Sequence, residues 1–316
     1  KKMLNSVKRS GADLLKLQLY EPLDMTLNLK NKEFIIKDTK SPWYKKSLFE
    51  LYKKSCTKKD LFIKIYKYAK KIKLPCFTSV FDTDSVEFLE KLKIPAYKIS
   101  SFEINHIPLI EKVSKTKKPI IFSTGVANYS EIYEAIKICK KNNNNKIILL
   151  HCSSEYPAEL KNCNLNHIKT LQKKFNCLIG FSDHTLGLAA PLSAVSQGAV
   201  LIEKHFKLNK KGNYIDKDFS LTPSDFRHMV TIGKSMKDTL GRKTFSRNKS
   251  TNYNSKFKRS IYISKDTQKG EKLSKKNISI IRADKGIHPR NYIKVLNKRF
   301  TYNLKAGKPL LKKYYK

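Results

Sequence analysis

The chain has 316 residues, 40% of them hydrophobic, with 66 lysine and arginine residues against 26 aspartate and glutamate residues. This composition excludes a disordered chain, and the length fits one large core of about 250 residues with a small second domain. The net charge of +40 is common in nucleic-acid-binding proteins, but 58 of the basic residues are lysines spread along the whole chain. We therefore expect solvated surface lysines and anionic small substrates, with no nucleic acid partner.

The six cysteines form no C-x-x-C pair, and several lie within or beside apolar runs. This pattern favours free thiols in a reducing compartment. No apolar run is long enough to span a bilayer, and no signal peptide is present. The sequence therefore predicts a cytoplasmic protein with no membrane partner.

The first elements are the end of a helix over residues 1–10 and a strand over residues 13–19. Residues 25–37 alternate between polar and apolar side chains around a turn at Asn31 and Lys32. This alternation predicts a β-hairpin inserted after the strand. An insertion at that point would lie over the mouth of a barrel, where binding loops are placed.

Strands and helices then alternate strictly along the chain. Further strands are predicted at 75–81, 96–100, 119–123, 146–152, 178–179 and 200–202. Helices are predicted at 60–71, 83–92, 107–114, 130–140, 166–174, 186–198 and 226–240.

Seven strands are one fewer than a (β/α)8 barrel needs, so we expect a TIM barrel whose first strand precedes Lys1. A doubly wound open sheet is the alternative. It is weakened because no G-x-G-x-x-G follows an early strand.

The character of the sequence changes after the last barrel helix. Residues 241–257 are polar and predict a linker between a catalytic domain at 1–240 and a small all-β domain at 258–316. In the latter, Q-K-G-E-K-L at 268–273 is echoed by L-K-A-G-K-P-L at 304–310. A domain of about 60 residues is close to the lower size limit for independent stability.

Two histidines follow neighbouring predicted strands, His184 in G-F-S-D-H-T and His205 in E-K-H-F. The carboxyl ends of parallel strands open onto one end of a barrel, so the two imidazoles should be neighbours. A lone histidine there is more often an ordinary hydrogen-bonded residue, but four other polar residues crowd the same strand ends: Ser182, Asp183, Glu203 and Lys204. Two imidazoles with open positions suit Mn²⁺ or a similar ion better than structural zinc, which needs four protein ligands.

Hydroxyl and charged residues also recur at the other strand ends. They are Lys16, Gln18, Thr78, Ser79, Lys98, Ser100, Ser101, Glu103, Ser123, Thr124, Cys152, Ser153 and Ser154. Each serine alone is more often a simple strand-end residue than a ligand. Recurring hydroxyl groups together with two lysines are what a phosphate group requires, so we expect an anion pocket.

Five motifs stand at these strand ends in a fixed order. They are K-I-S-S-F-E-I-N-H-I-P-L-I (98–110), P-I-I-F-S-T-G (119–125), L-L-H-C-S-S-E-Y-P (149–157), G-F-S-D-H-T (180–185) and E-K-H-F (203–206). With D-K-D-F-S-L-T-P (216–223), this set resembles the sialic acid synthase family, and the resemblance covers nearly the whole chain. The C-terminal segment resembles the family's SAF (antifreeze-like) domain.

Within that family, S-F-E at 101–103 and the insertion carrying Trp43 resemble the pseudaminic acid synthases. The resemblance implies a transferase that condenses phosphoenolpyruvate with 2,4-diacetamido-2,4,6-trideoxy-L-altrose and water, by C–O cleavage, to give pseudaminic acid and phosphate. The alternatives are an N-acetylneuraminate or legionaminic acid synthase, or an inactive relic that binds ligand without turnover.

The resemblance also assigns site residues. It implies that His184 and His205 bind a divalent ion (Mn²⁺, Mg²⁺ or Co²⁺). It also implies four catalytic residues: Glu103, His184, His205 and Asp216. It implies phosphoenolpyruvate binding by Lys98, Ser101, Ser123, Ser154 and Ser182. It implies sugar binding by Lys16, Ser79, Glu103, Asp216 and Arg282.

The resemblance further implies a homodimer with swapped SAF domains, in which Arg282 reaches the neighbouring subunit's site. The family's first strand, with its Asn-His motif, does not precede Lys1 in this sequence. We expect a fragment of a complete enzyme rather than a decayed copy.

Overall fold

The computed structural model describes residues 1–39, 41, 43–212, 214–241 and 249–316. The chain divides into two compact units, the first being Lys1–Gly241 and the second beginning at Arg242. The predicted linker, 241–257, lies partly outside the described residues.

The first unit contains a seven-stranded parallel sheet in which each strand pairs with the next in the sequence. Its strands are β1 (Leu15–Leu19), β2 (Cys76–Val80), β3 (Tyr97–Ile99), β4 (Ile120–Ser123), β5 (Ile147–Cys152), β6 (Leu178–Asp183) and β7 (Ile202–Lys204). The last strand begins at Ile202 rather than at residue 200, so its strand residues include Glu203 and Lys204.

Ten α-helices accompany these strands. They are α1 (Lys2–Arg9), α2 (Pro22–Met25), α3 (Leu48–Ser55), α4 (Lys59–Lys71), α5 (Thr83–Lys91), α6 (Ile107–Lys115), α7 (Tyr129–Lys141), α8 (His167–Phe175), α9 (Ala189–Ser196) and α10 (Pro223–Leu240). Short 3-10 helices lie at Lys32–Phe34, Ser101–Glu103 and Leu160–Asn162. No helix in the described part of the chain is long and apolar enough for a membrane crossing.

Side-chain caps mark several helix starts. Asp82 accepts a hydrogen bond from the Ser85 backbone N–H at 2.7 Å, and Asn128 and Glu131 form a capping box on α7. These oxygens satisfy backbone donors that a helix leaves unpaired at its first turn.

The sheet curls strongly. In a flat sheet with a strand spacing of about 4.8 Å, β1 and β7 would lie about 29 Å apart. Instead, Lys16 Nζ of β1 lies 2.7 Å from Glu203 Oε1 of β7. The two edge strands therefore face each other across a common interior, as in a TIM barrel, and the predicted fold class is confirmed.

Alternation along the strands separates two faces. One face packs against the helices in a large core that includes Tyr97, Phe122 and Phe181. The other face carries a small apolar cluster below polar residues: Phe77 precedes Ser79, Ile121 precedes Ser123, and Leu150 precedes Cys152, each by two positions. The polar side chains therefore lie above an apolar floor, towards the carboxyl ends of the strands.

The predicted hairpin at 25–37 is wrong. Residues 22–25 form α2, and Lys32–Phe34 form a 3-10 turn. The antiparallel bridge in this segment joins Ile35 to Ser47 instead, with the Ile36 N–H donating to the Lys46 carbonyl at 3.0 Å. Leu27 and Leu29, two apolar positions of the alternation, are 56% and 42% exposed, so no core holds this segment in a strand pair.

The second unit has an antiparallel pair, β8 (Arg259–Ile263) and β9 (Ile278–Arg282). Short helical segments lie at Lys249–Asn254 (α11), Ser255–Phe257, Pro289–Asn291, Tyr292–Val295 (α12) and Lys312–Tyr314. Its core includes Ile261, Leu273, Phe300 and Leu310, and isolated antiparallel bridges connect its turns. The small antiparallel sheet agrees with the predicted fold class, and the short helical segments are additional to it.

Candidate active site

The polar residues above the apolar floor come from all seven strands. They are Lys16 (β1), Ser79 (β2), Lys98 (β3), Ser123 (β4), Cys152 (β5), Ser182 (β6) and Glu203 (β7). Ser79, Lys98, Ser123 and Ser182 are all buried. Polar groups buried at this density need partners or a ligand.

Glu203 is the centre of this cluster. Its carboxylate lies 2.7 Å from Lys16 Nζ and 3.1 Å from Lys98 Nζ, and it accepts a hydrogen bond from Ser182 Oγ at 2.9 Å. Burial acts to raise the pKa of Glu203, but the two lysines outweigh it and hold that pKa well below its usual range. Two ammonium groups thus share one carboxylate, which leaves positive charge for an anion.

Glu203 had no assigned role in the sequence analysis, although it was among the strand-end residues. One sequence signal points to it, because it is two positions before His205 and so shares the same face. The register of the structure, in which Glu203 pairs with Ser182, puts it on the interior face.

Burial lowers the pKa of Lys98 to about 8, while Glu203 acts in the opposite direction. The Lys98 side chain is only 2% exposed. A lysine at this pKa remains mainly protonated at neutral pH and loses its charge under mildly alkaline conditions.

Three more residues predicted to bind phosphoenolpyruvate lie at the ends of β3, β4 and β5: Ser101, Ser123 and Ser154. Ser101 Oγ accepts a hydrogen bond from the Gly125 backbone N–H at 3.1 Å and lies 3.6 Å from Cys152 Sγ. Cys152 Sγ is 3.7 Å from Ser154 Oγ. A Cβ atom on Gly125 would lie 2.3 Å from Ser154 Oγ, so only glycine lets the backbone pass this close to the hydroxyl groups.

The two histidines are adjacent, with ring centroids 5.4 Å apart and ring planes at 55°. His184 Nδ1 lies 2.9 Å from the Ser153 carbonyl oxygen, so that nitrogen donates. His205 Nδ1 lies 3.0 Å from Asp216 Oδ2 and donates to it in the same way. In the neutral form of each ring, Nε2 therefore carries the free lone pair.

Burial, and secondarily the neighbouring His205, lower the pKa of His184 to about 3. His184 is thus neutral at physiological pH, the form in which imidazole binds a metal ion. For Asp216, burial raises the pKa, but the hydrogen bond and charge of His205 lower it overall. A carboxylate behind a histidine is a common arrangement at metal sites because it fixes the ring orientation.

Within the described ranges, no group of three or more His, Cys, Asp and Glu side chains is arranged to hold a metal ion. The two Nε2 atoms fit an ion that takes its other ligands from water and substrate oxygens. They do not fit structural zinc, which requires four protein ligands.

Two predicted site residues have buried oxygens without a hydrogen-bond partner, Ser79 Oγ and Glu103 Oε2. Burial raises the pKa of Glu103 to about 7, and Lys98 opposes this rise. Leaving a buried polar atom unpaired costs about 1–3 kcal/mol, so both positions favour a bound ligand or water.

Aromatic rings form a wall beside the histidines. The Tyr156 ring lies 4.4 Å from that of His184, and the Phe219 ring lies 4.9 Å from that of His205. Trp43 lies 6.2 Å from Tyr156. The sequence analysis did not assign Tyr156 or Phe219 to the site, since only tertiary contacts bring these loop residues to the histidines.

Not every polar residue at these strand ends belongs to the cluster. Lys204 Nζ lies 2.6 Å from Asp183 Oδ2, and both side chains are fully buried. Asp183 Oδ1 also accepts a hydrogen bond from the Thr185 N–H at 2.8 Å. Because strand side chains alternate, this pair lies on the opposite face from Ser182 and Glu203 and joins the ends of β6 and β7.

Arg282 lies in β9 of the second unit and is exposed. Its predicted role in a neighbouring subunit stays a prediction.

Comparisons with known proteins agree with this arrangement. The NeuB family model matches residues 3–245, and the SAF domain model matches residues 258–313. A pseudaminic acid synthase from Helicobacter pylori is 41% identical over 98% of this chain and 91% of its own length. An N,N'-diacetyllegionaminic acid synthase from Campylobacter jejuni is 34% identical, over 96% of this chain and 92% of its own length.

Among solved structures, an N-acetylneuraminic acid synthetase from Leptospira borgpetersenii, in complex with citrate, superposes with a TM-score of 0.71. It is 29% identical in sequence, and the match covers 80% of this chain and 82% of that one.

Proposed function

Because the chain belongs to the NeuB family and carries a SAF domain, we propose that it is a pseudaminic acid synthase. It condenses phosphoenolpyruvate with 2,4-diacetamido-2,4,6-trideoxy-L-altrose and water and releases phosphate. The main support for this reaction is that His184 and His205 present free Nε2 atoms beside the two lysines that contact Glu203. The choice of sugar is supported by the 41% identity to the Helicobacter pylori enzyme.

Phosphoenolpyruvate would bind where positive charge and hydroxyl donors meet. Lys98 and Lys16 supply charge that Glu203 only partly neutralises. Ser101, Ser123, Ser154 and Ser182 supply hydroxyl groups, which we assign to the phosphate. Donors held in place before binding need little reorganisation as charge develops in the reaction.

The sugar would present its aldehyde to the histidines. A divalent ion (Mn²⁺, Mg²⁺ or Co²⁺) on the two Nε2 atoms would act as a Lewis acid towards the aldehyde oxygen. Asp216 keeps the His205 ring oriented through its 3.0 Å contact with Nδ1. The Ser153 carbonyl does the same for His184.

Glu103 is our candidate for handling the proton of the attacking water. The enol carbon of phosphoenolpyruvate forms a bond to the aldehyde carbon, water adds at the carbon that bears phosphate, and the C–O bond to phosphate breaks. With a pKa of about 7, Glu103 is partly ionised at neutral pH and can accept the water's proton. Its unpaired Oε2 supports a ligand at this position.

We also propose a cytoplasmic homodimer in which the SAF domain of each subunit brings Arg282 to the other subunit's site. The six cysteines are all free, as expected for a reducing compartment. Sedimentation of the purified chain, with activity measured for Arg282→Ala, tests this assembly. A monomer with an unaffected Arg282→Ala variant would contradict it.

The decisive assay is phosphate release by the purified chain with phosphoenolpyruvate, a divalent ion and one acceptor at a time. We expect turnover with the trideoxyaltrose and little with N-acetylmannosamine. Turnover only with N-acetylmannosamine would favour the neuraminate alternative. Binding of phosphoenolpyruvate in a calorimeter without turnover of any acceptor would identify an inactive relic.

A further inference from the structure

Trp43 is the only tryptophan of the chain, and it lies on a closed loop next to the site. The base of the loop is held by the Ile35–Ser47 bridge and by two backbone hydrogen bonds of Ile36, which donates to Lys46 and accepts from Lys45. Inside the loop, the Trp43 N–H donates to Ser41 Oγ at 3.2 Å. These bonds hold the indole in a defined position.

The segment between β1 and β2 that carries Trp43 also reaches the site at a second point. Tyr52 of α3 has a raised pKa because of its burial and, secondarily, because of the charge of Glu103. The segment therefore meets the site at Trp43, whose indole lies 6.2 Å from the Tyr156 ring, and the charge of Glu103 acts on it at Tyr52.

Tyr156 lies between Trp43 and the histidines. Its ring is 6.2 Å from the indole on one side and 4.4 Å from the His184 ring on the other. The carboxylates of Asp216, Glu203 and Glu103 all act on Tyr156 electrostatically, so the ring borders the site itself. The rings of Tyr156 and Trp43 therefore form an aromatic surface beside His184.

An extended six-carbon sugar spans about 6 Å from its first to its last carbon, from a C–C bond length of about 1.5 Å. With the aldehyde at the histidine Nε2 atoms, the far end of the chain is within reach of this aromatic surface. The acceptor in the proposed function carries a methyl group at that end, whereas its 6-hydroxy counterpart carries a hydroxymethyl group. The face of an aromatic ring favours the methyl group, because a hydroxyl packed against a ring face loses water without gaining a hydrogen bond.

We propose that Trp43 and Tyr156 form an apolar subsite that receives the terminal methyl group and selects 6-deoxy acceptors. This inference rests on the proposed function. Trp43 acts here as a specificity residue, and the chemical step is left to the residues at the strand ends.

The test compares 2,4-diacetamido-2,4,6-trideoxy-L-altrose with its 6-hydroxy counterpart in the phosphate-release assay. For Trp43→Ala we expect the ratio of the two kcat/KM values to fall by about tenfold, mainly through KM of the deoxy sugar. Trp43→Phe should retain most of the preference. Tyr133→Ala, which removes a 64% exposed ring on α7, is the matched control and should leave the ratio unchanged.

Fluorescence provides a second readout that needs no variant. Since Trp43 is the only tryptophan, its emission during steady-state turnover should shift to the blue with the deoxy acceptor and shift less with the hydroxy acceptor.

The two hypotheses fail in different ways. A wild-type chain that turns over the trideoxyaltrose, with an unchanged ratio in Trp43→Ala and unchanged emission, would overturn the subsite and leave the proposed function intact. A wild-type chain that turns over N-acetylmannosamine alone would overturn both.

Discussion

Replacing Glu103 by glutamine should make the protein more stable at alkaline pH while reducing its activity. Burial raises the pKa of Glu103 from an ordinary 4.5 to about 7, so ionising it in the folded chain is unfavourable. The folded state therefore loses stability relative to the unfolded chain as pH rises from 4.5 to 7, and the loss is complete above pH 7. Glutamine resembles the protonated carboxyl group and avoids this loss.

The size of the effect follows from the pKa difference. A pKa that moves from 4.5 to about 7 corresponds to about 3 kcal/mol in the free energy of unfolding at pH 8 to 9. Glu103→Gln should accordingly match the wild type at pH 4.5 and exceed it by up to about 3 kcal/mol at pH 8.5. Its turnover should fall by about 10² to 10⁴, as for loss of a general base.

Urea unfolding of both proteins at the two pH values measures the stability difference. Other titrating groups are common to both chains and cancel in the comparison. A stability difference that is the same at pH 4.5 and pH 8.5 would refute the argument that burial controls this carboxyl group. Full activity of the glutamine variant would remove Glu103 from the proton transfer.

Asp183→Asn leaves the buried Lys204 ammonium group without a counter-charge, so we expect the free energy of unfolding in urea to fall by about 3–5 kcal/mol. A loss below about 1 kcal/mol would contradict this expectation. Asp216→Asn removes the carboxylate charge behind His205, so Mn²⁺ binding measured by calorimetry should weaken about 10- to 100-fold. An unchanged affinity would show that the carboxylate does not support the ring. Gly125→Ala places a Cβ atom 2.3 Å from Ser154 Oγ and should raise KM for phosphoenolpyruvate, and an unchanged KM would exclude the hydroxyl pocket.

The positive charge of the chain contrasts with the balance inside the site. The chain as a whole has a net charge of +40, yet the interior cluster sets two lysines against one carboxylate. The local excess of charge is small because each buried ammonium group must be compensated. In the proposed function, affinity for phosphoenolpyruvate would depend on these few groups, and the surface lysines would chiefly increase the encounter rate with anions.

The strand and helix order could be predicted from the sequence because buried parallel strands are short apolar runs separated by amphipathic helices. The same order placed His184 and His205 on neighbouring strand ends, and their rings lie 5.4 Å apart. Position along a strand is local information, and parallel strands bring their carboxyl ends to one side. These two facts were sufficient to find the histidines.

Contacts between distant segments required the tertiary structure. The charge sharing among Lys16, Lys98 and Glu203 depends on how strongly the sheet curls, a property of the packed helices and strands together. Residues 25–37 form no hairpin, and the side chains of Leu27 and Leu29 are exposed, so the alternation in the sequence did not mark a buried strand face. Trp43 is placed by backbone bonds of its loop and by the Tyr156 ring, which lies more than a hundred residues further along the chain. Local patterns thus determined the elements and their order, whereas long-range packing decided which side chains meet.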